Sequence, residues 1–204
     1  MSEAEEVASI DGRRARRDRN RETVVDAILA IYHEGNITPS LDEIAERSGV
    51  SHRSVFRYFE DLDELYQVAI DRHFAAIEPF VEIDESTAED LDGRVRQYVD
   101  HRVQLYERIA PVARATRMRA PTSDLLRDNL ARNRSRMRKQ ARAHFRPDLE
   151  RLPTPDRDAL TNALTTLLTF EAIETMRFDQ GLSVTATRRA LSVAVLRLLG
   201  PATP

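Results

Sequence analysis

The sequence predicts an all-α fold, and three observations support that prediction. Helix-forming Ala, Leu, Arg and Glu dominate the chain, and only 6 glycines and 9 prolines occur among its 204 residues. Runs rich in Val, Ile or Thr, which favour strands, are few. Apolar residues instead recur at spacings of three and four, which places them on one buried face of a helix.

Composition narrows the class of protein. Hydrophobic residues make up 41% and charged residues 32%, which fits a globular chain with charged faces. The absence of cysteine excludes disulfides, Cys-ligated zinc and thiol nucleophiles, and it suits a reducing compartment. No apolar run approaches the roughly 20 residues that span a bilayer, and residues 1–12 lack the pattern of a signal peptide. We therefore expect a cytoplasmic protein with no membrane partner.

Arginine is concentrated in two segments, although the net charge is -3. Residues 13–21 hold six arginines and one aspartate, and residues 114–146 hold ten arginines and one lysine against two aspartates. A nucleic-acid footprint is local, so the net charge does not exclude such a partner. The run at residues 132–146 could attract an anionic ligand such as an acyl-coenzyme A or a phosphorylated metabolite, although a solvated helix face is the simpler interpretation.

The N-terminal part is predicted to begin with a tail and one helix. Residues 1–12 are typical of a disordered acidic tail. A helix is predicted over residues 13–34, and Gly35 is a suitable stop. Ser40 with Glu43 three positions later forms a capping-box pattern, so a short helix should start directly after Ser40.

A second short helix follows across a tight turn. Gly49 ends the first short helix, and Ser51 is a suitable N-cap for the next one, over residues 52–59. Two short helices joined by a three- or four-residue turn that contains glycine form a helix-turn-helix.

The rest of the chain is predicted to form further helices, separated by prolines, glycines and capping residues. Pro111 marks a break or a new start, and three later prolines lie in a loop. The predicted helices cover residues 61–79, 87–110, 121–145, 156–178 and 184–199, and Asp61 is the predicted cap of the first of them.

The helix-turn-helix pattern points to DNA. The second helix of this motif enters the major groove, and its first residues face base edges. Those residues are His52, Arg53 and Ser54, of which Arg53 can bind guanine in a bidentate manner. The alternative is an ordinary helical hairpin with a solvated Arg53. The two capping signals, the length of the turn and the arginine cluster before it favour DNA.

The remaining side chains of the second helix suggest a division into two faces. Val55 and Phe59 should pack inward, whereas Arg57 and Tyr58 should face outward and bond phosphate oxygens. The arginines at residues 13–21 should meet flanking phosphates.

The stretch SLDEIAERSGVSHRSVFRYFEDLDELYQVAI, residues 40–70, resembles the N-terminal signature of TetR-family transcriptional regulators. The resemblance covers about residues 20–70, and the order of the helices is also similar. It implies an N-terminal three-helix helix-turn-helix domain at residues 13–60, followed by a helical-bundle domain for ligand binding and dimerisation at residues 61–204. It further implies a homodimeric, DNA-binding repressor that a small-molecule effector releases from a palindromic operator.

Carried onto this sequence, the resemblance implies a phosphate contact for Ser40 and a backbone contact for Tyr58. Two positions depart from the family pattern, because Phe56 stands where a tyrosine is frequent and Leu62 where a lysine is usual. The residues expected at the DNA are Arg16, Arg17, Ser40, Ser51, His52, Arg53, Ser54, Arg57 and Tyr58.

In the family, the last two long helices pair with their copies across a two-fold axis. A stripe inside the protomer core is the alternative for the apolar residues of these helices. The residues expected at the dimer interface are Leu160, Leu164, Leu167, Leu168, Leu191, Val195 and Leu198.

The sequence gives least information on the ligand site, because every candidate residue could instead be an ordinary residue of the hydrophobic core. The candidates are Tyr98, His101, Leu105, Met118, Leu126, Met137, Phe170 and Met176. No histidine pair has close metal-ligand spacing, and a site of His101, His144 and a carboxylate is only a weak alternative, so we expect no metal.

Two other functions compete with a ligand-responsive regulator. A small all-α enzyme or carrier is the first, but the chain has no Gly-rich phosphate loop, Cys/His metal motif or nucleophile elbow. We therefore expect no enzymatic activity and no cofactor. A non-specific nucleoid-type DNA binder is the second, and the net charge of -3 argues against it. The effector, the operator and the choice between repressor and activator stay open.

Overall fold

The computed structural model describes residues 3–83 and 88–200, and all regular secondary structure in these ranges is helical. The predicted all-α fold is therefore confirmed for this part of the chain. Its ten α-helices are α1 (Glu3–His33), α2 (Leu41–Ser48), α3 (His52–Tyr58), α4 (Leu62–Ile77), α5 (Leu91–Arg119), α6 (Asp124–His144), α7 (Arg146–Leu149), α8 (Thr154–Leu167), α9 (Phe170–Glu174) and α10 (Val184–Leu199). Within the same residues, no helix is both long and apolar enough to cross a membrane.

The chain divides into two compact units. The first comprises Met1–Ile77 and Pro111–Met118, and the second comprises Glu78–Ala110 and Arg119–Pro204.

In the first unit, α1 packs against α2, α3 and α4. The apolar stripe predicted for α1 is buried, as Val24 and Ile28 show, and Gly35 follows the helix end with a φ of 97°. The helix begins at Glu3, so it includes residues 3–12, which the sequence predicts as a tail. Ala and Glu in that segment are strong helix formers, which is consistent with this extension.

The helix α4 starts where its capping signal predicts. The Asp61 carboxylate accepts a hydrogen bond from the Glu64 amide at 2.8 Å, which satisfies a backbone donor of the first turn. The Tyr66 hydroxyl donates to the Pro39 carbonyl at 2.8 Å and ties α4 to the segment before α2.

In the second unit, α8 packs against α6 and α10. The core between these helices and α5 contains Val95, Tyr98, Val99, Val103, Phe145, Leu149, Leu164, Leu191 and Val195. A buried ion pair lies beside it, in which Asp148 accepts hydrogen bonds from Arg94 Nε at 2.9 Å and Nη2 at 2.7 Å.

Two predictions of where helices continue or break differ from the structure. Pro111 neither breaks nor starts a helix, because α5 continues through it from Leu91 to Arg119. Burial of Val112 and Ala113 beyond the proline favours the continuous helix despite the missing amide donor.

The helix predicted over residues 156–178 is instead divided. It stops at Leu167, and the Thr169 hydroxyl accepts from the Ala172 amide at 3.2 Å to start α9. A threonine hydroxyl competes with the helical backbone for hydrogen bonds, which explains the new start. A π-helical turn, Thr175–Asp179, then follows α9 directly.

Candidate nucleic-acid interface

The start of α2 is fixed by the predicted capping box. The Ser40 hydroxyl accepts from the Glu43 amide at 3.3 Å, and the Glu43 carboxylate accepts from the Ser40 amide at 2.7 Å. The same carboxylate accepts from the Ser40 hydroxyl at 2.8 Å. The two hydrogen bonds that the carboxylate accepts from Ser40 lower the pKa of Glu43 below its ordinary value. Ser40, expected at a phosphate, is exposed but already engaged in capping.

The turn between α2 and α3 depends on Gly49. Its φ of 67° lies in the left-handed region, which only glycine adopts without strain. Ser51 then has the extended backbone of an N-cap, but its hydroxyl donates to Ser54 Oγ at 3.1 Å instead of accepting from the helix. The predicted position of the cap is therefore confirmed, and the predicted side-chain cap is absent.

At the start of α3, His52 and Arg53 are exposed, whereas Ser54 is half-buried. His52 Nε2 lies 2.9 Å from Asp42 Oδ1 on α2, so this side chain bridges the two short helices. Arg53 is exposed and forms no ion pair or hydrogen bond with any residue that the structure describes. Its guanidinium is available to an outside acceptor.

The inward face of α3 has three large side chains. Val55 is fully buried and Phe59 is 2% exposed, as predicted. Tyr58 was expected to face outward, and that expectation is wrong, because the residue is only 6% exposed. The Tyr58 side chain lies towards α1, where its hydroxyl meets Asn20, and the packing of α1 against α3 buries it.

The Tyr58 hydroxyl holds α1 and α3 together. It accepts from Asn20 Nδ2 at 3.1 Å and from Arg57 Nη2 at 3.0 Å. The hydrogen bond from Asn20 and the nearby Arg57 lower the pKa of the phenol. Arg57, expected to face phosphates, is exposed but folds back towards Tyr58.

The remaining expected DNA contacts, Arg16 and Arg17, lie on the exposed part of α1. The guanidinium of Arg21, on the same helix, lies 4.9 Å above the Phe59 ring. Phe56, at a departure from the family pattern, is 50% exposed. The exposed surface of α1 and α3 thus combines cations with one solvent-facing aromatic ring.

The expected ligand-site residues separate into several environments. Around the buried Arg102, the Tyr98 hydroxyl accepts from the guanidinium at 2.7 Å and donates to the Met137 carbonyl at 3.3 Å. His101 Nε2 lies 2.9 Å from the Glu82 carbonyl oxygen. Burial, followed by the charge of Arg102, lowers the pKa of His101.

The other candidates for the ligand site lie outside the group of residues around Arg102. Leu105 and Leu126 are buried, and Phe170 and Met176 pack against the core of the second unit. Met118 belongs to the first unit and is 42% exposed. Sequence reasoning missed Arg102. Tyr98 lies four residues before it on α5, but its other partners, Met137 and Gln140, come from distant positions that spacing does not reveal.

Four of the expected interface residues are core residues of the second unit. Leu164, Leu168, Leu191 and Val195 are at most 8% exposed in the single chain, so they have almost no surface left for a partner. They are the inward half of amphipathic helices, a pattern that a sequence does not distinguish from an interface stripe. The other three, Leu160, Leu167 and Leu198, are partly buried. Val193 and Phe178 are more exposed, at 53% and 69%.

The described residues contain no group of three His, Asp or Glu side chains that could hold a metal ion. The pair His101 and His144 therefore lacks a third ligand there. Neither protein-family models nor curated proteins gave a match to this chain.

Proposed function

We propose that this chain is a ligand-responsive transcriptional regulator of the TetR type, in which α2 and α3 form the helix-turn-helix. The observation that carries the proposal is the geometry of α2, the turn at Gly49 and α3. This geometry leaves His52 and Arg53, at the start of α3, exposed while the opposite face of the helix is buried. A recognition helix needs both properties, because its first residues must reach base edges from a fixed angle.

Arg53 is the proposed reader of the operator. It is exposed and has no partner among the described residues, so no internal ion pair has to break when it binds guanine. His52 is proposed as a secondary reader, whose bond to Asp42 competes with a base contact.

The basic segment of α1 is proposed to bind flanking phosphates. The hydrogen bond from Asn20 to Tyr58 holds this part of α1 beside α3. Arg16 and Arg17 lie within one turn of Asn20 and are exposed, so both can reach the backbone next to the bases that α3 reads.

The proposed active species is a homodimer that represses transcription and leaves a palindromic operator when an effector binds. Two copies of α3 related by a two-fold axis would read two half-sites. Partly buried and exposed apolar residues of α8 and α10 support pairing of these helices between copies, with Leu160, Leu167, Val193 and Leu198 as the proposed contacts.

Fluorescence anisotropy with labelled DNA tests the DNA-binding proposal. Duplex from upstream of the protein's own gene is compared with a scrambled duplex at two salt concentrations. We expect Arg53→Ala to weaken specific binding by about 1–3 kcal/mol. Arg138→Ala is the matched control, because Arg138 is also exposed and makes no ion pair with a described residue.

Two results would contradict the proposal. Equal binding to both duplexes, and to sequences from a random-library selection, would indicate a non-specific nucleoid-type protein. Failure to bind any duplex, after removal of ligands by refolding, would favour the enzyme or carrier alternative.

A further inference from the structure

A cleft in the second unit lies among the ends of three helices, outside the surface proposed for DNA. Its volume is about 380 Å³, within the roughly 300–1,000 Å³ that small-molecule sites occupy. Helix α6 contributes its C-terminal part, and α7 and the first turn of α8 complete the wall. The lining residues are Lys139, Arg142, Ala143, Arg146, Leu149, Glu150 and Arg157.

The charges that line this cleft are unbalanced. Four cationic side chains face one carboxylate, that of Glu150. Arg142 is paired with Asp158 at 3.2 Å, but Lys139 and Arg146 form no ion pair with any described residue. Cations gathered in one concave surface repel each other and attract an anion.

Arg157 gives a second, independent indication of an anion. It lies in the first turn of α8, where the helix dipole disfavours a positive charge. Its Nη2 donates to the Leu152 carbonyl at 3.2 Å, whereas its Nε is buried and has no hydrogen-bond partner among the described residues. A buried donor without an acceptor is unfavourable, and rotation of the Arg157 side chain towards a ligand oxygen in the cleft would satisfy it.

The wall formed by α7 is held rigidly from behind. The Asp148 carboxylate is 1% exposed and accepts two hydrogen bonds from Arg94. The adjacent Leu149 is also buried, so Arg146 projects from a fixed element. A preformed arrangement of cations lowers the ordering cost of binding.

We propose that this cleft binds a small, multiply charged phosphate compound. Guanidinium groups bind phosphate oxygens in a bidentate manner, and Arg142, Arg146 and Arg157 supply three of them. Lys139 adds a point charge, and Ala143 and Leu149 offer an apolar surface to the rest of the ligand. This inference does not depend on the proposed DNA-binding function.

Isothermal titration calorimetry of the full chain with pyrophosphate, at constant ionic strength and without DNA, tests the proposal. We expect Arg146→Gln and Arg157→Gln each to weaken binding by about tenfold. The control Arg132→Gln, an exposed α6 residue outside the cleft lining, should stay within about twofold of the unchanged chain. Comparison with ADP distinguishes a nucleotide from a bare phosphate ligand, since tighter binding of ADP indicates contacts to the nucleoside.

Arg157→Lys separates the Nε donor from the charge, and weaker pyrophosphate binding in this variant supports the role of that donor. Circular dichroism verifies that each variant folds. The proposal is overturned if pyrophosphate produces no saturable heat, if Arg132→Gln loses as much affinity as Arg146→Gln, or if citrate binds as tightly as pyrophosphate. Displacement of pyrophosphate by short duplex DNA would also overturn it, because the cleft would then be part of a nucleic-acid surface.

Discussion

Asn20 donates a hydrogen bond from Nδ2 to the hydroxyl oxygen of Tyr58 at 3.1 Å, and this bond links α1 to α3. The residues are 38 positions apart, and Tyr58 is only 6% exposed. The bond fixes the basic segment of α1 relative to the helix that is proposed to read DNA.

Removing this link should destabilise the first unit. We expect Tyr58→Phe to lower the free energy of unfolding by about 1 kcal/mol, since it deletes a part-buried hydrogen bond and keeps the ring. Urea denaturation measures the change. Asn20→Ala should cost a similar amount, and the double variant little more. Additive losses would show that the two side chains act independently.

The salt dependence of DNA binding should show whether the arginines of α1 contact phosphates. Replacing Arg16 and Arg17 by alanine should flatten the slope of log K against log salt by about 0.9 for each phosphate contact that is lost. Anisotropy titrations over a range of salt concentrations give this slope. The same double substitution at Arg132 and Arg138 serves as the control, and an unchanged slope in the α1 variant would refute the phosphate contacts.

Substitution of Gly49 should be destabilising because of its left-handed backbone conformation, and not because a side chain would be crowded. Beyond the adjacent residues, no atom lies within 4 Å of a Cβ at this position, so alanine fits, but the φ of 67° is left-handed. We expect Gly49→Ala to cost about 1–2 kcal/mol in urea denaturation. Gly49→Asn should cost less, because asparagine adopts this conformation more readily than alanine. Equal costs would point to another cause.

The buried pair Arg94 and Asp148 should be strongly coupled. Asp148→Asn leaves a 6% exposed guanidinium without its carboxylate, which should cost about 3–5 kcal/mol of unfolding free energy. Asp158→Asn, which breaks the half-exposed pair with Arg142, should cost less than about 1 kcal/mol. Similar losses in the two variants would contradict the role of burial.

Acid should destabilise the chain through its buried histidines. Burial lowers the pKa of His73 and His144 below the ordinary value of 6.5, and the nearby His33 lowers that of His73 further. For His144, the hydrogen bond with the Arg94 carbonyl opposes the effect of burial, whereas the charges of Arg94 and Arg102 add to it. The unfolded chain then binds protons more readily than the folded chain. Stability is fully present above pH 6.5 and falls as the pH decreases towards the folded pKa values.

Urea denaturation between pH 8 and pH 5 measures this dependence. His73→Phe should flatten it, because phenylalanine keeps a buried ring and removes the titrating group. A stability profile that is flat in the unchanged chain contradicts the prediction.

Sequence reasoning succeeded where a structure depends on near neighbours. The capping box of Ser40 and Glu43, the left-handed Gly49 and the cap of α4 at Asp61 all act within four residues. Such signals are readable in a sequence because the two partners always lie at the same spacing. The exposed position of Arg53 was correctly anticipated from the same local pattern.

Other features required the tertiary structure, because amphipathicity reveals that a face is buried but not what buries it. Leu164 and Leu191 satisfy the pattern of an interface as well as that of the core where they lie. The sequence pattern assigns Tyr58 to the outward face of α3, but packing of α1 against α3 buries it.

The sequence by itself determined the all-α class, the helix starts that depend on local caps, and the arginine-rich segments. Only the tertiary structure decided that Arg157 joins Arg146 in one cleft and that Asn20 meets Tyr58. The physical reason is the separation along the chain between the residues that interact. Caps and turns form between residues a few positions apart, whereas clefts and buried pairs require packing to bring distant segments together.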